Sequence, residues 1–143
     1  MKETPDVICY TDGGARGNPG PAGAGAYITK GNGDVIDEVS LFLGNGTNNY
    51  AEYAAVILAL QTVKKHFGAK TKSLHVEIRM DSELIQRQLS YKYQIKEPSL
   101  VPQFLEIHNM RVKDFPHISF VHVRREQNKE ADRLANEAMD RKS

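Results

Sequence analysis

The sequence predicts an α/β fold in which a mixed five-stranded sheet, three antiparallel strands followed by two parallel strands, carries helices on both faces. Three strand-like runs stand together before residue 45, a helical period begins at Asn49, and two further strand-like runs alternate with helices after residue 73. Parallel strands require crossover connections, which are usually helices packed on the sheet. The order of the elements therefore predicts this architecture.

The first three strands are predicted from short apolar runs separated by turn residues. These runs cover residues 7–10, 25–30 and 34–44. Their β-branched and aromatic side chains favour a pleated, half-buried surface. The Asn32-Gly33 pair between the second and third runs is typical of a two-residue hairpin turn. We therefore expect an antiparallel meander.

The remaining elements are predicted from changes in apolar spacing. Between residues 49 and 67 the apolar side chains recur at helical intervals, and Gly68 is a natural helix end. The later elements are a strand over 74–80, a short helix over 83–89, a helix over about 99–112 with Pro102 in its first turn, a strand over 117–123 and a last helix capped by Asn128.

Size and composition are those of one globular domain, which we expect to span residues 1–143. Hydrophobic residues make up 40% and charged residues 26% of the chain, which argues against collagen, coiled-coil and disordered classes. The net charge of +1 excludes a strongly basic nucleic-acid-binding protein and leaves a local basic face open. No exposed apolar stripe is predicted, so we expect a monomer without an obligate protein partner.

Cysteine usage and the lengths of the apolar runs indicate the compartment. Cys9 is the only cysteine, which excludes a disulfide framework and a thiolate metal cluster. The first ten residues lack the pattern of a signal peptide, and no uncharged apolar run approaches the length of a membrane span. We therefore expect a cytoplasmic protein that does not contact a membrane.

Four acidic residues occupy corresponding places in these elements. Asp12 ends the first strand, Glu52 lies in the first turn of the long helix, Asp81 ends the fourth strand, and Asp132 lies in the first turn of the last helix. Each also has a local structural explanation. Asp12 suits a turn, Glu52 can complete a capping box with Asn49, Asp81 can cap the next helix, and Asp132 complements a helix dipole.

Taken together, the four carboxylates favour a metal site. Strand ends and the helix starts that follow them gather at one edge of such a sheet, so these groups are expected to converge. Converging carboxylates repel each other unless a cation compensates their charge. Oxygen ligands suit Mg²⁺ or Mn²⁺, and the lack of a histidine pair at ligand spacing argues against zinc. Two such ions about 4 Å apart would suit phosphodiester hydrolysis.

The segment after Asp12 is rich in glycine and proline, and it suggests a place where another backbone approaches the chain. Gly13 and Gly14 carry no side chain. We therefore expect them to offer unobstructed N–H groups to a nucleic-acid backbone beside the metal-binding carboxylate.

With these residues in place, the sequence resembles type 1 ribonuclease H from about Val7 to Met139. The segments that carry the resemblance are YTDGGARGNPGPAGAG, TNNYAEYAAVILAL, MDSELIQRQL and NKEADRLANEA, in that order. The resemblance implies a ribonuclease H-like fold and metal-dependent cleavage of the RNA strand of RNA/DNA hybrids, leaving 5′-phosphate and 3′-hydroxyl ends.

The resemblance also implies roles for individual residues. Two Mg²⁺ ions per site, or Mn²⁺ ions in their place, would be bound by four catalytic carboxylates, those of Asp12, Glu52, Asp81 and Asp132. The hybrid would be contacted in its minor groove by Asn18, Asn48 and Asn49, while Thr47 would hold a phosphate. Two alternatives stay open: a catalytically silent hybrid-binding module, and another nuclease on the same fold.

Two segments depart from the pattern of many bacterial relatives. Those relatives carry a histidine in the loop before the last aspartate, whereas this loop offers Arg124, Arg125 and Glu126, which a solvated charged loop would explain equally well. They also have a basic, tryptophan-containing protrusion, whereas SYKYQIKEPS fills that place here, as in a compact branch that includes archaeal members. Lys92 and Lys96 in this segment could meet a nucleic-acid backbone or simply be solvated.

Overall fold

The computed structural model describes residues 4–143 and contains the predicted mixed sheet. Its strand order is β3-β2-β1-β4-β5, with β1 antiparallel to β2, β2 antiparallel to β3, and both β1–β4 and β4–β5 parallel. The elements in chain order are β1 Val7–Ala15, β2 Gly20–Lys30, β3 Val35–Gly46, α1 Asn48–Phe67, β4 Val76–Met80, α2 Glu83–Leu89, α3 Val101–Lys113, β5 Ile118–His122 and α4 Lys129–Arg141.

The helices α1 and α4 cover opposite faces of the sheet. α1 packs on the face that presents Cys9 and Ile28, and its buried side chains Tyr53, Val56 and Leu60 belong to the same core. α4 packs on the other face with a stripe of small and aliphatic residues. These observations confirm the predicted fold class.

Glycines let each of these helices approach the sheet closely. A Cβ atom on Gly25 would lie 2.5 Å from the carbonyl oxygen of Ala131 in α4, and a Cβ on Gly13 would lie 2.2 Å from the carbonyl carbon of Ala51 in α1. Real Cβ atoms do not approach other atoms so closely, so both positions require glycine. The helix backbones therefore rest directly on the strands.

Three local predictions were wrong in detail. β1 continues through Asp12 to Ala15, and β2 begins at Gly20, so most of the glycine-rich stretch is strand rather than loop. Packing against the helices outweighs the low strand propensity of glycine. The β2–β3 connection spans four residues, 31–34, instead of two, and Gly33 adopts a positive φ of 99° there.

The helix predictions agree more closely with the structure. α1 begins one residue before the predicted start and ends at Phe67, and the next residue, Gly68, has a φ of 56°, which suits glycine. Pro102 lies at the start of α3, as predicted. Within residues 4–143, every helix is too short or too polar to cross a bilayer.

Candidate metal and nucleic-acid site

Three of the four predicted carboxylates meet at one end of the sheet. Asp12, Glu52 and Asp81 each place one carboxylate oxygen within 4.8 Å of the other two, and all three side chains are half-buried. They form the group that we call the inner triad. This arrangement is the one that the sequence pattern predicted for these three residues.

Sheet register and helix packing bring the inner triad together. Thr11 of β1 pairs with Met80 of β4 in a parallel ladder, so the next residues, Asp12 and Asp81, lie side by side. The close contact of Gly13 with α1 places the following residue of that helix, Glu52, against the same strand end. Each carboxylate therefore depends on a long-range contact made by its sequence neighbour.

Burial and mutual repulsion make the inner triad difficult to ionise. Burial, followed by the charge of Asp81 and a hydrogen bond with Asp132, raises the pKa of Asp12 to about 8. Burial raises the pKa of Glu52 to about 7, although a hydrogen bond from the Ser82 hydroxyl opposes this shift. A bound cation would reverse this preference for the protonated forms.

Asp81 is surrounded by opposing influences. Burial raises its pKa, and the negative charge of Asp132 acts in the same direction. The positive charge of Arg125 and the side chain of His122 lower it. Of the three loop residues singled out in the sequence, Arg125 is therefore the one whose charge acts on the inner triad.

An unpartnered oxygen supports the assignment of a cation site. Glu52 Oε2 is buried and has no hydrogen-bond partner among the residues that the structure describes. A buried carboxylate oxygen without a partner is costly unless a cation or water occupies the space beside it. Three oxygen donors at this spacing fit a hard divalent cation such as Mg²⁺ or Mn²⁺.

Asp132 differs from the other three carboxylates. Its side chain is exposed, and it lies outside the inner triad in the described part of the chain. It still acts on Asp12, because its carboxyl group contributes to the raised pKa of Asp12. The expectation of four equivalent converging carboxylates is therefore corrected to an inner triad with one outer member.

The local explanations for three of these carboxylates were wrong. Asp12 does not form a turn, because β1 continues past it. Glu52 does not complete a capping box with Asn49, because the N-cap of α1 is Thr47. Asp81 does not cap α2, because Ser82 is the N-cap. For Asp132, the position in the first turn of α4 still fits a dipole interaction.

The predicted substrate-binding residues form a connected group beside the start of α1. Asn18 Oδ1 accepts a hydrogen bond from the Asn48 backbone N–H at 3.0 Å. Asn48 Oδ1 accepts one from the Ala15 N–H at 2.8 Å, and Thr47 Oγ1 accepts one from the Tyr50 N–H at 3.1 Å. The structure thus gives each of these oxygens an intramolecular role, and their contact with a hybrid stays a prediction.

Two positions next to these residues depart from expectation. Gly13 is buried beneath α1, which corrects the prediction of unobstructed backbone there, whereas Gly14 is half-buried and has room beside it. Asn49 Nδ2 donates to Glu97 Oε1 at 2.7 Å. This bond connects the start of α1 to the end of the segment that replaces the basic protrusion.

Sequence reasoning missed two polar residues of the site. Ser82 lowers the pKa of Glu52, and its place directly after Asp81 was the available signal. Asn128 was predicted as a helix cap, but its side chain makes no capping bond within α4 and instead donates to the Thr11 carbonyl oxygen at 2.9 Å. No local pattern indicates that second bond, because its partners are 117 positions apart.

Comparisons with known proteins show the family and the fold of the chain. The chain matches the Reverse transcriptase-like family over residues 10–138. It is similar to an RNase H1 isolated from compost by a metagenomic approach, with a TM-score of 0.91, 49% identity and coverage of 96% of this chain and 97% of that chain. A structure of the compost protein in complex with an RNA/DNA hybrid has a TM-score of 0.91 and 48% identity, and covers 95% of this chain and 98% of that chain.

Two further relatives are similar to nearly the whole chain at lower identity. Ribonuclease HI of Halobacterium salinarum is 38% identical over 134 residues, which are 94% of this chain and 64% of that protein. A bifunctional protein of Mycobacterium tuberculosis is 37% identical over 135 residues, which are 94% of this chain and 35% of that protein. The chain therefore spans about a third of the mycobacterial relative and less than two thirds of the archaeal one.

Proposed function

The chain belongs to the type 1 ribonuclease H family, and from this premise we propose that it hydrolyses the RNA strand of RNA/DNA hybrids with two divalent cations. The products would carry 5′-phosphate and 3′-hydroxyl ends. The observation that carries the proposal is the inner triad with its unpartnered Glu52 oxygen. It occurs in a chain 48% identical to a protein solved with an RNA/DNA hybrid.

The carboxylates divide the binding of two cations between them. Asp12, Glu52 and Asp81 would hold one ion, and the Asp12–Asp132 pair would hold the other. When bound, Mg²⁺ or Mn²⁺ would lower the pKa of a water molecule and stabilise the leaving oxygen. Arg125 places a positive charge near Asp81, where it helps to balance the negative charge of the site.

The residues around the start of α1 would orient the hybrid. Asparagine amides both donate and accept hydrogen bonds, so they suit minor-groove edges without demanding one base. Asn18 and Thr47 lie beside the first two residues of α1, Asn48 and Asn49, and Gly14 lies next to the Asn48 side chain. The 2′-hydroxyl group distinguishes the RNA strand from DNA and is a natural target for carboxylates and backbone N–H groups.

A cleavage assay on three duplexes of one sequence tests this proposal. RNA/DNA, RNA/RNA and DNA/DNA duplexes with labelled ends would be incubated with Mg²⁺, with Mn²⁺ and with a chelator. We expect cutting confined to the RNA of the hybrid, lost in chelator, with 5′-phosphate ends on the fragments. Use of the purified chain alone also tests whether a protein partner is needed.

A pair of variants separates catalysis from binding. Asp12→Asn should abolish cleavage while hybrid binding persists, whereas Asp34→Asn, in the β2–β3 loop, makes the same change of charge away from the site. Wild-type protein that binds the hybrid but never cuts it would instead be a silent binding module. Preferred cutting of DNA duplex would indicate another nuclease on the same fold.

A further inference from the structure

Asn128 links the start of α4 to the strand that carries Asp12. The residue is 1% exposed, and its Nδ2 atom donates to the Thr11 carbonyl oxygen at 2.9 Å. We propose that Asn128 is a positioning residue that sets the distance between the carboxylates of Asp132 and Asp12. The inference rests on the proposed function, in which these two carboxylates share a cation.

The bond joins the immediate surroundings of both carboxylates. Thr11 directly precedes Asp12 in β1. The Asp132 N–H donates to the Asn128 carbonyl oxygen at 3.1 Å, so Asp132 lies one helical turn after Asn128 on the same side of α4. A single side chain therefore fixes the outer carboxylate relative to the strand that holds the inner one.

A second contact makes the placement of α4 more exact. Gly25 is the β2 partner of Asp12 in the sheet, and a Cβ atom there would lie 2.5 Å from the Ala131 carbonyl oxygen. Ala131 directly precedes Asp132. The Gly25 contact sets how closely the helix approaches the sheet, and the Asn128 bond sets how far it can slide along the strand.

The orientation of the Asn128 side chain does not favour the helix itself. An asparagine at an N-cap position usually accepts a hydrogen bond from the first helical turn, but within α4 this side chain makes none. Its Oδ1 atom is buried and unpartnered among the described residues. The amide cannot be reversed, because Oδ1 would then face the Thr11 carbonyl oxygen. The bond from Asn128 to Thr11 holds α4 against β1, and so it opposes the repulsion between the Asp12 and Asp132 carboxylates. A capping bond within α4 would not have this effect.

Binding of Mn²⁺ to the full chain, measured by calorimetry and by electron paramagnetic resonance, tests this role. Asn128→Ser keeps a good N-cap residue, but its side chain is too short to reach Thr11. We expect the weaker Mn²⁺ site to lose affinity about tenfold or more, a loss typical of residues that orient metal ligands. Asn136→Ser is the matched control, since Asn136 donates to the Asp132 carbonyl oxygen and accepts a long, exposed bond from Arg16, but does not bond to the Thr11–Asp12 part of β1. The Mn²⁺ affinity of this variant should stay within about twofold of wild type.

A double-mutant cycle identifies the carboxylate through which Asn128 acts. In an Asp132→Asn background, Asn128→Ser should cause no further loss of Mn²⁺ affinity, because the group that it positions has already lost its charge. Asn128→Ala removes the bond to Thr11 and, unlike Asn128→Ser, offers no side chain that could cap α4, so its Mn²⁺ affinity should equal that of Asn128→Ser if the bond to Thr11 is what matters. In steady-state cleavage we expect kcat to fall while KM for the hybrid is unchanged.

The outcomes separate this inference from the proposed function. A wild-type chain that neither binds Mn²⁺ nor cleaves the hybrid overturns the proposed function and the inference with it. Wild-type Mn²⁺ affinity in Asn128→Ser, or an equal loss in the Asp132→Asn background, overturns the inference alone. Unchanged helical circular dichroism in Asn128→Ser confirms that a loss of affinity does not come from unfolding of α4.

Discussion

The starts of α1 and α4 each bring a carboxylate to the site, and they do so in different ways. The start of α1 is closed locally, because Thr47 Oγ1 accepts a hydrogen bond from the Tyr50 N–H three residues later. The start of α4 is held across the fold, because Asn128 donates to β1 instead of to its own helix. The first arrangement depends on neighbouring residues, and the second depends on the finished sheet.

The two carboxylates differ accordingly. Glu52, five residues after the Thr47 cap, is half-buried in the inner triad and has an unpartnered oxygen. Asp132, four residues after Asn128, is exposed and lies outside the inner triad, although it helps to raise the pKa of both Asp12 and Asp81. Glu52 and Asp132 occupy corresponding positions near the starts of their helices, yet they are not equivalent in the site. We therefore expect unequal effects when each is changed.

The largest expected effect is the loss of cleavage in Glu52→Gln. If Glu52 binds a cation as proposed, removal of this half-buried ligand should cost several kcal/mol of transition-state stabilisation, which corresponds to a fall of about 10³-fold in kcat. In Asp132→Asn the fall in kcat should be roughly tenfold smaller than in Glu52→Gln, about 10²-fold, because the inner triad stays complete. Single-turnover cleavage of the hybrid measures both, and Glu106→Gln on the exposed side of α3 is the matched control. Equal losses in the two variants would remove the distinction between inner and outer carboxylates.

The next largest effect concerns the glycines on which the two helices rest. Gly13→Ala and Gly25→Ala place a Cβ atom against the backbone of α1 and α4, respectively, and each should lower the free energy of unfolding by about 3 kcal/mol. Gly14→Ala is the control, since its Cβ would make an ordinary contact at 3.7 Å. Urea unfolding measures all three. If Gly25→Ala were as stable as Gly14→Ala, the direct contact of the α4 backbone with β2 at Gly25 would be contradicted.

A smaller effect should appear in the pH dependence of stability without metal. Asp12 and Glu52 have pKa values raised to about 8 and about 7, so the folded state binds their protons more tightly than the unfolded state. Their contribution to stability is therefore fully present below their ordinary pKa values and is lost as the pH rises towards 8.

Urea unfolding in chelator at about pH 5 and pH 8 measures this contribution. Asp12→Asn should be more stable than wild type at the higher pH by about 2 kcal/mol, and the difference should shrink at the lower pH. Asp132→Asn should show a smaller gain, because its carboxylate is exposed. A wild-type advantage at pH 8 without metal would show that the inner triad is not strained by its own charge.

The smallest effect concerns the local cap of α1. Thr47→Ala should lower the free energy of unfolding by about 1 kcal/mol, because the Tyr50 N–H loses its acceptor. Thr47→Ser keeps the hydroxyl group and should lose less than about half of that. Thermal unfolding of the two variants measures the difference. Equal losses would mean that the Thr47 methyl group, rather than the cap, stabilises this end of the helix.

Local patterns predicted the helices better than the first two strands. Apolar periodicity and Gly68 located α1 to within one residue, because both signals act over a single helical turn. The glycine-rich parts of β1 and β2 were missed, because glycine by itself disfavours a strand. Gly13 and Gly25 occur in strands because helices pack against them, and those contacts are distant in sequence.

The sequence by itself predicted the order of the elements and identified the four acidic residues as candidates for one site. Both predictions rest on local properties: apolar periodicity, turn residues, and carboxylates near strand ends or helix starts. Only the tertiary structure decided that Asp12, Glu52 and Asp81 form the inner triad while Asp132 stays outside it. The physical reason is that separations of a few ångströms between carboxylates depend on sheet register and helix seating. In this protein, Gly13, Gly25 and the bond of Asn128 to Thr11 set them.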